Sequence, residues 1–129
     1  MEVIVFRPAD TRGMFDVREV RERLDQWRDC IADPHEADVV LVEHGEVAQD
    51  YRRQRRLADP TSSRACGVIV VRAEMVVLDH AWATPEARHV MREFAQWMVG
   101  RYRPRVFSEV EGDDWTERCG GDVDVLFAL

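Results

Sequence analysis

The sequence predicts an α+β fold: one domain with a mixed β-sheet of about five or six strands and two main amphipathic helices. The expected order is β-α-β-(α)-β-β-α-β-β. Three stretches carry that reading. The first is a pair of short β-branched runs, Gly67-Val68-Ile69-Val70-Val71 and Met75-Val76-Val77-Leu78, separated only by Arg72-Ala73-Glu74. Runs this short cannot cross a membrane, and Val/Ile enrichment reads as buried strands joined in an antiparallel hairpin. The second is Ala87, Val90, Met91, Phe94, Trp97, Met98 and Tyr102, spaced by threes and fours on one helical stripe. Thr84 caps that helix, Pro85 suits its first position, Glu86 complements its dipole, and Gly100 and Pro104 mark its exit. The third is a similar stripe in Val17, Val20, Leu24, Trp27 and Ile31, opened by Asp16 three residues before Glu19.

Taken in order, Glu2 to Arg7 is a strand stopped by Pro8, and the Asp16 helix runs to Ala32-Asp33-Pro34. Its charged face, with Glu19 and Arg23 and with Arg21 and Asp25 at helical spacing, reads as solvated. Ala37 to Glu43 is a continuously apolar strand, central and covered on both faces. Strand, helix and strand in this order imply a parallel, right-handed β-α-β unit. Glu46 to Leu57 reads as a short helix, and Asp59 to Ser63 as a loop. After the long helix, Arg105 to Glu111 and Asp122 to Leu129 read as strands separated by turns at Gly112-Asp113-Asp114 and Gly120-Gly121. A ferredoxin-like core with additions fits this order, although strand order is not legible from one sequence.

Composition narrows function by exclusion. The 129 residues carry a formal charge of −7, which disfavours nucleic acid or an anionic membrane as partner. No signal-peptide pattern opens the chain, and no apolar run approaches the roughly 20 residues of a membrane span. Cys30, Cys66 and Cys119 are odd in number and unpaired in spacing, which points to a reducing, cytoplasmic compartment and away from a thiolate metal site. Every basic residue but histidine is arginine, and asparagine is missing with lysine. Both use codons beginning AA, so a GC-rich, bacterial genome explains the bias. No P-loop, dinucleotide fingerprint or Gly-x-Ser-x-Gly occurs, and no cofactor is implied.

Three groups of side chains remain. Glu43-His44 and Asp79-His80 are acid–histidine pairs at strand ends, where carboxylate and imidazole together bind divalent metal or share a proton in acid–base catalysis. Arg52, Arg53, Arg55 and Arg56 crowd one short stretch and can grip phosphate or carboxylate. From Val106 onward there are seven carboxylates against one arginine, Arg118. Period-two alternation puts Glu109 with Glu111, and Asp122 with Asp124, on single strand faces. If those strands pair, four carboxylates share one face, a costly arrangement unless a cation or basic partner relieves it. The leading expectation is a small acidic module that binds a basic protein through Glu109, Glu111, Asp113, Asp114, Trp115 and Glu117. An inhibitor or immunity protein that neutralises a toxin suits the size and charge. The alternatives are a small enzyme or metal-dependent module using Glu43, His44, Asp79 and His80, or a regulatory domain for a small molecule.

Overall fold

The computed structural model describes residues 1–33, 36–43 and 66–128. The elements are β1 (Val3–Arg7), α1 (Val17–Asp25), β2 (Cys30–Ala32), β3 (Val39–Val42), β4 (Gly67–Val71), β5 (Val76–Asp79), α2 (Pro85–Tyr102), β6 (Arg105–Phe107), α3 (Thr116–Cys119) and α4 (Asp124–Phe127). The strands form one sheet in the order β2-β3-β4-β5-β1-β6. The fold is α+β, as its sequence predicts. His44, the helix expected over Glu46 to Leu57, its arginines Arg52 to Arg56 and the loop at Asp59 to Ser63 lie outside the described residues.

The sheet corrects the parallel β-α-β unit. All five strand pairings are antiparallel. The physical cause lies at the end of α1. The helix stops at Asp25 and not near Pro34, its last turn tightened by Gln26 N–H to Arg23 O and Trp27 N–H to Leu24 O. The chain then reverses into β2, which pairs with β3 through Cys30↔Val42, Ile31↔Leu41 and Ala32↔Val40. Ile31 therefore belongs to a strand, although its spacing from Trp27 suits a helix. With that reversal inserted, β3 no longer neighbours β1, which lies between β5 and β6. Leaving out the β2–β3 hairpin, β1-α1-β4 and β5-α2-β6 interleave as β4-β5-β1-β6. That is the split β-α-β arrangement of ferredoxin-like folds, lengthened at one edge.

Both main helices pack on one face of the sheet. Ile4 and Phe6 of β1, Val40 and Val42 of β3, Ile69 and Val71 of β4, Val76 and Leu78 of β5 and Val106 of β6 meet Val20 and Leu24 of α1 and the α2 stripe. On the opposite face, Ile31, Val39 and Leu41 form a smaller cluster with Cys66, Val68 and Val70. All four residues of β3 are buried, as expected for a strand covered on both sides. The hairpin β4–β5 is observed, with Val71 opposite Val76. Thr84 caps α2 by accepting from Ala87 N–H at 3.2 Å. Within α2, Phe94 and Met98 are fully buried, whereas Trp97 is only partly so. Phe94 is the aromatic hub, stacked on Trp97 at 6.1 Å and meeting Trp27 edge-on at 6.3 Å. Gly67 lets α2 approach closely: a Cβ there would lie 2.2 Å from the Met91 sulfur, so that side chain would have to shift. The charged face of α1 is not wholly solvated, because Glu19 accepts from the Tyr102 hydroxyl at 2.6 Å and from Arg101, tying α1 to α2.

Candidate functional site

The C-terminal acidic segment forms no pair of strands. After β6 ends at Phe107, the chain turns sharply: Ser108 N–H donates to Asp113 O, Asp113 N–H to Ser108 Oγ, and Gly112 N–H to Glu109 O. Gly112 fits because any Cβ would sit 2.6 Å from Ser108 Oγ and 2.8 Å from Glu109 N. The returning strand segment then occupies the outer edge of β6. Asp114 bridges Phe107, Trp115 N–H donates to Val106 O at 2.7 Å, and Thr116 Oγ1 accepts from Val106 N–H at 2.9 Å. A last strand over Asp122 to Leu129 would need that edge, and it is taken. Residues 124–127 form α4 instead, burying Val123 and Leu126 at a spacing of three and leaving Val125 exposed. The expected strand face shared by Glu109, Glu111, Asp122 and Asp124 is therefore absent.

The acids separate into groups with different electrostatics. Asp124 is ion-paired with Arg92 of α2, which holds its carboxyl below the usual range, and Asp122 Oδ1 accepts from Asp124 N–H at 3.0 Å. Asp114 and Glu117 share a hollow of about 560 Å³ with Arg105, Arg118 and Thr116. There the Thr116 side chain and then its N–H, which donates to Asp114 Oδ1, lower the Asp114 pKa, with Arg105 adding to the effect. Glu109 and Asp113 lie elsewhere. They line a separate open groove of about 370 Å³ with Trp115, Val125 of α4, and Glu2 and Val3 at the start of β1. No basic side chain pairs with Glu2, Glu109 or Asp113 among the described residues. Glu111 is exposed on the turn beside it.

Trp115 is the fixed element of this groove. Its backbone is held by Val106 O, its ring packs partly against the main core, and the Arg118 guanidinium lies 4.7 Å from the ring centroid. The indole thus already carries one cation from the neighbouring hollow. The groove combines three carboxylates that no side chain ion-pairs among the described residues, an indole, the apolar side chains of Val3 and Val125, and Met1 with its amine. Sequence reading finds Glu109, Asp113 and Trp115 but misses Glu2, Val3 and Val125. Glu2 and Val3 are recruited by β1–β6 adjacency, for which local sequence carries no signal, and Val125 by the helix that follows the Gly120-Gly121 turn in place of the expected strand.

The acid–histidine pairs fare differently. Strands β3 and β5 do end at one edge of the sheet, since each pairs antiparallel with the intervening β4. Glu43 and His80 are both buried there, about two strand spacings or 10 Å apart in backbone. Asp79 and His80 diverge, however. Asp79 lies beside Val3 and Val68 in register and its carboxylate accepts from Ala81 N–H, while the His80 ring packs on Phe127 of α4. The two side chains thus engage different groups. Among the described residues no group of three histidine, cysteine or carboxylate side chains is placed to hold a metal ion. Burial pushes the Cys30 thiol up to about 12 and raises that of Cys119, so neither is an activated nucleophile.

The chain matches no family model, no curated protein and no solved structure. Its function is read from the site alone. Among the described residues no helix is long and apolar enough to cross a membrane.

Proposed function

We propose that this chain is a small protein-binding module that holds a basic protein segment in the groove beside Trp115. One observation carries the reading. Glu2, Glu109 and Asp113 line one groove and none of them is ion-paired among the described residues, whereas Asp124 is paired with Arg92 and Asp114 and Glu117 share a hollow with Arg105 and Arg118. The cations near the groove are the Met1 amine and the Arg118 guanidinium over the Trp115 ring. Like charges gathered in one concavity favour a cationic occupant, and the groove is open enough to admit a side chain from a partner surface. An acidic inhibitor or immunity protein, neutralising a toxin by covering a basic surface in the cytoplasm, is the class that this chemistry suits. The enzyme reading loses support with the divergence of Asp79 and His80.

The test is kinetic. Against an isolated basic partner, changing Glu2→Gln, Glu109→Gln and Asp113→Asn together slows association and flattens its salt dependence, since charge acts chiefly on encounter. Trp115→Phe keeps an aromatic ring in the core contact and mainly speeds dissociation. A partner that associates equally fast with the three carboxylates neutralised, at low and high salt, refutes the groove as the interface.

A further inference from the structure

His80 is 2% exposed, and neither ring nitrogen makes a well-formed hydrogen bond, although the Met1 backbone lies near enough to favour the protonated ring. A polar ring so placed is costly unless the arrangement around it is otherwise stabilised. The groups that cover it are the ones that frame the groove. His80 N–H donates to Glu2 O at 3.0 Å, fixing the start of β1. Its ring packs on Phe127 of α4 with centroids 4.8 Å apart. The Met1 amine reaches Ala128 O at 3.5 Å, a second link between the chain just before β1 and the end of α4. Glu2 and Val3 on one side and Val125 on the other are walls of the groove. The two walls therefore meet at His80, whose backbone N–H holds Glu2 and whose buried imidazole packs on Phe127.

We propose that His80 is a proton-operated latch: protonating its ring releases α4 and the Met1–Glu2 segment from each other and so dismantles the groove. The inference rests on the proposed protein-binding reading only for its consequence, loss of the partner site; the latch itself stands on the packing. Burial, more than charge, disfavours protonation of the ring in place. Burial lowers its pKa from the ordinary 6.5, and Arg88 and the Met1 amine act in the same direction. The Met1 backbone and Asp79 act the other way, the latter with its carboxylate engaged by Ala81 N–H. Arg88 Nε is held at 3.4 Å from His80 O. The charged residue of α4 is Asp124, and it is tied to Arg92 of α2. A proton is accordingly taken up by the open form. The closed form is favoured above the ordinary value of 6.5 and loses ground as pH falls below it, down to the lowered value of the closed state. Over that window the closed-to-open ratio falls by up to about tenfold per pH unit.

Hydrogen exchange resolved by residue on the full chain tests this without any partner. Between pH 7 and 5.5, protection factors of the Leu126 and Ala128 amides are expected to fall by up to about tenfold per unit, while that of Met98 in α2 holds. In His80→Phe, a ring that needs no hydrogen bond, the fall disappears. Should that variant not fold, the imidazole resonance of the parent chain serves instead: its titration must coincide with the loss of α4 protection. Three results overturn the latch: an equal fall in His80→Phe, titration of the ring with α4 still protected, or loss of Met98 protection in step with Leu126. An octa-arginine peptide supplies the second arm. Binding that weakens with opening supports control of the groove, and binding unchanged by opening overturns it. No binding at pH 7 refutes the protein-binding reading, and the exchange result still decides the latch.

Discussion

Truncating Phe94 is the sharpest test of how the core is organised. Its ring is fully buried beneath the sheet, stacked on Trp97 and edge-on to Trp27. Phe94→Ala removes the ring and leaves a cavity among groups fixed by both helices, a loss of about 3–5 kcal/mol. Trp97 is the larger residue and the more conspicuous in the sequence, but part of it remains in contact with water. Full burial of a large side chain contributes roughly 1.5–3 kcal/mol, so partial burial plus its ring contacts puts Trp97→Ala at about 1–2 kcal/mol. Urea unfolding at neutral pH, followed by far-UV circular dichroism, separates the two. With unchanged slopes, the midpoint of Phe94→Ala should fall well below that of Trp97→Ala. Against a total stability of about 5–15 kcal/mol, Phe94→Ala brings the chain close to unfolding. Equal losses, or a larger one for Trp97→Ala, would refute the assignment of Phe94 as the hub.

Two further outcomes test local features. Gly67→Ala places a methyl against the Met91 sulfur; methionine yields more readily than a branched side chain, so destabilisation of about 1–2 kcal/mol is expected, and an unchanged urea midpoint contradicts the close approach. The Tyr102 hydroxyl is the largest cause of the lowered Glu19 pKa, with Arg101 next. In Tyr102→Phe the Glu19 carboxyl should titrate closer to its ordinary 4.5 by carbon NMR; the stabilisation it lends α1–α2 is present above that value and fades as pH falls through the folded one, and an unmoved midpoint contradicts the bond.

What the sequence shows clearly is what local chemistry decides. Thr84 and Pro85 start α2 where capping rules place it, and the β-branched runs of β4 and β5 pair as their short separation demands. What it hides is decided by partners remote in the chain. Ile31 has helical spacing from Trp27, yet pairing with Leu41 puts it in β2. Val123, Val125 and Phe127 alternate like a strand, but Asp114 to Thr116 already fill the edge such a strand needs. The acidic bias of the C-terminal segment is plain from composition. Its division is not, because Arg92 pairs with Asp124 across 32 positions and Glu2 joins Glu109 only through the neighbouring strands β1 and β6.

The central claim is that charge in one groove, and not net acidity, recruits a basic partner. Calorimetric titration with octa-arginine at low salt, on three proteins of known charge, addresses it directly. Neutralising Glu2, Glu109 and Asp113 should weaken binding by about tenfold or more, equivalent to roughly 1.4 kcal/mol. A charge-matched control, Asp25→Asn with Glu74→Gln and Glu86→Gln, alters exposed carboxylates outside the groove and should leave affinity within about twofold of the parent. Equal weakening in both variants, or none in the first, would contradict the groove as the binding site.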